Sequence, residues 1–286
     1  MFKRLNWRLI LICAAWITST VSLLVLMSFI SGKKAQVVCK DLRIYIKGSQ
    51  YFIDKHEVGN ILSANNNTII GSRMDAINLQ DLENRLKANP FIEKAKVYAD
   101  MDGTIFVDVN QRLPVLRIIN HFNQDFYVDQ RGLKIPLSSN FTALVLAANG
   151  DIDEMLTIKL DTLHTSLAKD LLKTALFIRK DSLWNAQIAQ IFVNNKSEIE
   201  LIPRVGNNRI LLGDADSLAT KFNKLYVFYK NVIPRVGWET YKTINIKYAN
   251  QVIGVKNDNR KADTSKTRMA MADSIKLNNK KTLIKK

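Results

Sequence analysis

The residues that could carry chemistry are few and widely spaced. The histidines, His56, His121 and His164, lie far apart along the chain, and none has a neighbour at the spacing of a metal-ligand pair. Asp100 and Asp102 resemble paired acid–base carboxylates, but a glycine follows Asp102 directly, which predicts a hairpin turn instead. Neither a glycine-rich phosphate loop nor a GxSxG motif occurs. The pattern predicts no catalytic residue, no metal site and no cofactor, and it argues against an enzyme.

The cysteines and the charge argue against two further classes of protein, disulfide-stabilised domains and nucleic-acid-binding proteins. Cys13 and Cys39 cannot form a disulfide framework, because Cys13 lies inside a long apolar run, so folding must depend on core packing. The formal net charge is +16, but residues 257–286 alone hold nine basic residues against three acidic ones. The rest of the chain is only mildly basic, which does not predict a nucleic-acid-binding surface.

The segment Leu9–Ile30 contains no charged residue and is long enough to span a bilayer core of about 30 Å. Lys3, Arg4 and Arg8 precede it. The alternative, a cleaved secretory signal, is less favoured because the run is long and no small-x-small cleavage site follows it. We expect one uncleaved helix with the N-terminus in the cytoplasm and the bulk of the chain outside.

The first globular region has the pattern of a small α+β domain. Alternating apolar residues predict strands around 42–46, 95–99 and 105–109. Two short helices are expected between the first and second strands, the first capped by Asp54 with Glu57 and the second capped by Asn78. The order β-α-α-β-β predicts two helices on one face of a three-stranded sheet.

The second globular region is mainly strand-like. Two helices are expected, near Leu167–Ile178 and Ser217–Tyr229, and either Asp214 or Asp216 is available to cap the second. The predicted strands are Val115–Ile119, Asp125–Val128, Ile188–Val193, Glu198–Ile202, Arg209–Leu212, Thr243–Lys247 and Val252–Val255. Beyond these strands, residues 257–286 are predicted to form a disordered basic tail.

Several short motifs, in this order and spacing, resemble the FtsQ/DivIB family of bacterial cell-division proteins. They are Phe52–Asp54, Asn78–Leu79, Asn89–Ala95, Val107–Val115, Tyr127–Leu137, Ile210–Gly213 and Thr243–Tyr248. Two departures occur: Ala143–Ala147 stands where the family often has a proline-leucine-glycine turn, and Asn250-Gln251 stands where a tighter glycine turn is common.

The resemblance implies an α+β fold with a single N-terminal transmembrane helix, a POTRA-like domain and a mainly β second domain with two helices. The predicted segments are a cytoplasmic stub (1–8), a transmembrane helix (9–30), a linker (31–40), a POTRA-like domain (41–113), a β domain (114–256) and the tail (257–286).

The resemblance also implies a non-catalytic scaffold in the cytoplasmic membrane at the division septum. Its expected partners are FtsB and FtsL type coiled-coil proteins and other divisome proteins, linking early division proteins to septal peptidoglycan synthesis. FtsB would add as a strand along the segment Ile244–Val255. The residues expected to bind it are Ile244, Ile246, Lys247, Tyr248, Asn250, Val252, Gly254 and Val255.

Some alternatives stay open at this point. Tyr248 and its neighbours could be an ordinary closing strand. The chain could instead be a POTRA-containing envelope assembly or secretion factor, although no repeated POTRA unit is seen, or a membrane-anchored hydrolase, although no catalytic cluster is seen. The tail could lack a partner, or it could contact anionic lipid or cell-wall polymer; nucleic acid is not expected.

Overall fold

The computed structural model describes residues 7–34, 37–48, 52–63, 68–157 and 160–257. Two compact units are present: the first runs to Arg112 and includes residues 138–142, and the second holds the rest of the described chain. The helices are α1 (Trp7–Lys34), α2 (Lys55–Ser63), α3 (Leu79–Lys87), α4 (Ser166–Lys180), α5 (Ser182–Gln187), α6 (Leu218–Asn231), α7 (Ile233–Val236) and a 3-10 helix (Trp238–Thr240).

The strands fall into one sheet in each unit. They are β1 (Asp41–Lys47), β2 (Ile92–Ala99), β3 (Thr104–Gln111), β4 (Pro114–Ile119), β5 (Asp125–Asp129), β6 (Lys134–Pro136), β7 (Leu146–Gly150), β8 (Ile188–Val193), β9 (Ile199–Pro203), β10 (Arg209–Gly213), β11 (Tyr241–Asn245) and β12 (Ile253–Lys256). The predicted tail and the predicted loop at 65–67 lie outside the described residues.

The N-terminal helix α1 has the length and composition of a membrane span. Its window Leu11–Ser28 has a mean hydropathy of 2.0, and none of that window is buried inside the protein. The hydroxyl of Thr20 donates to the carbonyl oxygens of Trp16 and Ile17, so this polar group needs no partner outside the helix. The predicted single apolar helix is confirmed, and it fits a single-pass anchor.

The two helices of the first unit begin where the sequence predicts. The amide of Glu57 donates to the Asp54 carboxylate at 2.7 Å, and the amide of Asp54 donates back to Glu57 at 3.0 Å. These two bonds form a capping box. Asn78 accepts a bond from the amide of Asp81 at the start of α3. Both caps satisfy amides that have no partner within the helix.

The sheet of the first unit has the order β1-β3-β2, with β1 parallel to β3 and β2 antiparallel to it. Asp100 accepts the amides of Asp102 and Thr104 at 3.0 Å each, which confirms the turn role of the two aspartates. Buried side chains from the sheet and both helices form one core. The predicted β-α-α-β-β order is therefore confirmed.

The second unit is built on a nine-stranded sheet in the order β12-β11-β10-β9-β8-β7-β4-β5-β6. Helices α4 and α6 supply buried apolar residues to its core, among them Leu171, Leu172, Phe222 and Leu225. All of the predicted strands in this region are present within one or two residues of the predicted ends.

Three of the predictions made from the sequence for the second unit were wrong or incomplete. Strand β7 was not predicted, because its LAANG sequence contains none of the β-branched or aromatic residues that are enriched in strands. The expectation of two helices missed the short helices α5 and α7. Neither Asp214 nor Asp216 caps α6: Ser217 occupies the cap position with φ 50° and makes no side-chain cap bond. Asp214 instead pairs with Lys221 at 2.6 Å.

One edge of the large sheet is covered by the chain itself. The amide of Lys134 in β6 donates to the carbonyl oxygen of Asp161 at 2.8 Å, and the amide of Leu163 donates to Gly132 at 2.9 Å. The segment around 161–163 therefore satisfies backbone groups along β6 that would otherwise be open.

A buried ion pair holds this cover in place. Lys134 Nζ lies 2.7 Å from the carboxylate of Glu154, and the two side chains are only 1% and 2% exposed. Glu154 also accepts both the amide and the hydroxyl of Thr165 at 2.8 Å. Burial raises the pKa of Glu154, but the bonds from Lys134 and Thr165 outweigh it, and the net pKa is lowered.

We expect Lys134→Met to destabilise the protein by about 3 kcal/mol at neutral pH, because it leaves Glu154 buried without its cation. A lowered folded-state pKa means that Glu154 contributes stability above its ordinary pKa of 4.5, and that this contribution is lost as the pH falls through the folded value. The difference between variant and parent should therefore shrink at low pH in urea unfolding of the full chain. The exposed substitution Lys169→Met is the control, and an equal loss there would contradict the assignment.

Candidate functional site

The opposite edge of the large sheet, at β12, has no covering segment within residues 7–257 as far as they are described. Strand β12 pairs antiparallel with β11, with Val255 opposite Thr243 and Ile253 opposite Asn245. Along its outer side, none of the described residues forms a paired strand. Unpaired backbone N–H and C=O groups on such an edge can accept a further strand.

The predicted partner residues do not all face outward. Ile244 and Ile246 are fully buried in the core of the second unit, so their side chains are not available to a partner. Val252 is half-buried and packs against the same core. Asn250 is exposed, and Val255 is 53% exposed. The predicted set therefore divides into residues that support the edge and residues that lie on its surface.

Lys247 has an intramolecular partner. Its Nζ makes a short ion pair with Glu198, and this hydrogen bond raises the pKa of Lys247. Its aliphatic stem lies over Gly213, where an added Cβ would come within 2.9 Å of the lysine Cγ. Lys247 thus ties the segment after β11 to strands β9 and β10.

Tyr248 presents an exposed ring on an anchored backbone. Its side chain is 49% exposed, and its carbonyl oxygen accepts a short bond from Lys224 Nζ. Lys224 also donates to the carbonyl oxygen of Ile246 at 3.2 Å, and burial lowers its pKa. One ammonium group therefore fixes the path of the chain where it leaves β11.

Gly254 lets an aromatic ring cross the edge strand. A Cβ at this position would lie 2.5 Å from a ring carbon of Tyr241 in the neighbouring strand, closer than atoms can approach. Tyr241 packs edge-on against Phe228 of α6, with ring centroids 5.4 Å apart. The ring therefore joins β12 to the helix layer through a position that only glycine fits.

Two surface residues of this edge were missed by the sequence prediction. Ile253 is 40% exposed and Lys256 is exposed. Strand alternation could have identified Ile253, because it places residue 253 on the same face as Val255, whereas residues 252 and 254 face the other way.

The three histidines are not brought together, but His121 gains neighbours that its sequence position did not indicate. Its Nδ1 lies 3.0 Å from Asp153 and 3.9 Å from Asp151, and the ligand atoms of the three residues lie within 4.8 Å of one another. Strands β4 and β7 pair in parallel, so the segments that follow them meet at one end of the sheet. All three residues are exposed, and the imidazole–carboxylate contact itself accounts for their proximity.

Comparison with known protein families gives two matches. Residues 113–255 match the family model described as FtsQ/DivIB, C-terminal related. Residues 37–110 match a POTRA-like domain. No curated protein matches the chain in a sequence comparison.

We expect Gly254→Ala to loosen the edge strand, because the new methyl group would displace the Tyr241 ring. Hydrogen exchange at the β11 and β12 amides should become faster, while the sheet of the first unit keeps its protection. Val255→Ala is the matched control, since this neighbouring side chain is exposed. Unchanged exchange in Gly254→Ala would show that the ring contact does not order the edge.

Proposed function

Because this chain belongs to the FtsQ/DivIB family, a non-catalytic family of division scaffolds, we propose that it is a bitopic inner-membrane scaffold of the divisome. It binds the FtsB and FtsL type subcomplex by strand addition along β12 and so links early division proteins to septal peptidoglycan synthesis. The observation that carries this proposal is the outer side of β12, along which no residue that the structure describes forms a paired strand.

The contrast between the two ends of the large sheet supports strand addition at β12. At β6 the chain supplies its own cover, through backbone bonds from Lys134 to Asp161 and from Leu163 to Gly132. At β12 the described residues supply none, and Ile253 and Val255 of this strand are exposed. A strand from a partner would satisfy the open backbone groups and bury these two apolar side chains.

The residues around β12 are suited to holding a fixed edge. Lys224, Lys247 and Tyr241 each connect the strand pair β11–β12 to other elements of the second unit, Tyr241 through its ring contact with Phe228 of α6. An edge that is ordered before binding loses less conformational freedom when the partner adds. The ring of Tyr248 then provides a large exposed contact at low entropic cost.

Tyr248→Ala is expected to weaken co-purification of the FtsB type partner, because truncation of an aromatic side chain at an interface centre costs about 2 kcal/mol, roughly thirtyfold in affinity. Tyr45→Ala in the first unit is the matched control, since both rings are 49% exposed. The measurement is recovery of the partner with the full chain from solubilised membranes, after a check that both variants melt like the parent.

Val255→Lys tests the edge itself. A lysine on an exposed edge strand opposes the addition of another strand, and residue 255 is already exposed, so folding should be retained. We expect loss of the partner and a division defect. Partner recovery equal to that of the parent in both Tyr248→Ala and Val255→Lys would place the binding site elsewhere on the second unit.

We also expect α1 to remain attached, with both folded units outside the cytoplasm. Protease added to spheroplasts should digest the chain beyond Lys34 and leave a small protected N-terminal fragment. Complete protection of the chain, or a mature form that begins near Ala35, would contradict this topology.

A further inference from the structure

A second concave surface of the second unit is separate from the β12 edge. It is a cavity of about 480 Å³. Its residues come from β4, β7 and β8, from helices α4 and α5, and from the segments before β7 and after β9. Strands β8, β7 and β4 lie in the middle of the sheet order, whereas β12 lies at its end.

The floor of this cavity is apolar and fixed. Val115, Ala175, Ile178 and Ile188 line it and are at most 3% exposed. These residues belong to the core cluster of the second unit, so the floor keeps its shape when nothing is bound. Above this floor, the partly exposed lining residues Val145, Leu146 and Ala189 present apolar surface to a side chain that enters from solvent.

The mouth of the cavity carries positive charge. Arg179 and Arg204 line it and are exposed, and none of the lining residues is acidic. The guanidinium group of Arg179 donates to the carbonyl oxygen of Pro114 at 3.4 Å. The backbone amide of Arg204 donates to the carbonyl oxygen of Gln187 at 2.7 Å. No carboxylate among the described residues pairs with either guanidinium group. Guanidinium groups bind carboxylates with two parallel hydrogen bonds, so the mouth favours an acidic partner.

Leu144 extends the apolar surface of the cavity into solvent. Its side chain is 100% exposed, in the stretch Ala143–Ala147 where the sequence departs from the family pattern. A leucine held fully in water beside an apolar cavity gains free energy when a partner covers it.

We propose that this cavity is a second protein-docking site, which binds an acidic segment of a partner protein. An apolar side chain of that segment enters the cavity, and neighbouring carboxylates pair with Arg179 and Arg204. The assignment rests on the proposed scaffold function, because it gives the scaffold a binding surface in addition to the β12 edge. Leu144, Val145 and Leu146 supply the apolar contact area, and the two arginines select for acidic segments.

The test uses the full chain in phosphatidylcholine nanodiscs and three fluorescein-labelled peptides. EELLEELLEE carries the proposed chemistry, EESSEESSEE lacks the apolar side chains, and KKLLKKLLKK reverses the charge. Fluorescence anisotropy should show saturable binding of EELLEELLEE and much weaker binding of the other two.

The double variant Arg179→Glu/Arg204→Glu should weaken binding of EELLEELLEE at least about tenfold, or about 1.4 kcal/mol. Lys169→Glu/Lys230→Glu makes the same change in net charge at exposed lysines outside the cavity and should change binding less than about twofold. Leu144→Ser should weaken binding severalfold. Each variant is compared with the parent in a thermal melt.

Three outcomes would overturn the proposal. They are no saturable binding of EELLEELLEE by the parent, equal weakening by the two double variants, and equal binding of the serine peptide. Val255→Lys at β12 should leave peptide binding unchanged while it lowers recovery of the FtsB type partner. The two sites are therefore tested separately, and failure of one does not imply failure of the other.

Discussion

Every β-sheet that does not close on itself has two edges, and the backbone N–H and C=O groups on each edge need partners. The second unit meets this requirement differently at its two ends. At β6, the chain returns and pairs its own backbone through Asp161 and Leu163. At β12, the described residues leave the outer side without a strand. The position of the candidate site follows from this asymmetry.

The cover on β6 depends on groups that are costly to bury. Lys134 and Glu154 are almost completely excluded from water, and each is compensated by the other and by bonds to neighbouring backbone. Removal of either partner would leave a buried charge. The pair therefore keeps the segment around 161–163 in one position, where it covers the edge at β6.

The open edge is ordered by contacts of another kind. Lys224 binds two carbonyl oxygens after β11, Lys247 reaches Glu198, and the Tyr241 ring crosses Gly254. The two lysine contacts join the β11–β12 segment to α6 and to the start of β9, and the Tyr241 ring joins β11 to β12 and to Phe228 of α6. These contacts order the edge in a chain of the FtsQ/DivIB family, which is a family of non-catalytic division scaffolds.

Local patterns determined much of this protein. The apolar run predicted α1, the Asp54–Glu57 and Asn78 signals predicted two helix starts, and period-2 alternation predicted most strands, because each of these features depends on residues close together in the chain. Strand β7 and the short helices α5 and α7 were missed, since their sequences have weak intrinsic preferences.

Only the tertiary structure decided which residues reach the surface of the candidate site and which positions meet. Ile244 and Ile246 were among the residues expected to contact a partner, but both lie in the core. His121 meets Asp151 and Asp153 only because β4 and β7 are parallel neighbours. Arg179 near the end of α4 and Arg204 just after β9 likewise meet only in the folded protein, at one cavity. Sequence patterns report the local periodicity of one segment, whereas burial and charge clustering depend on contacts between segments that are far apart in the chain.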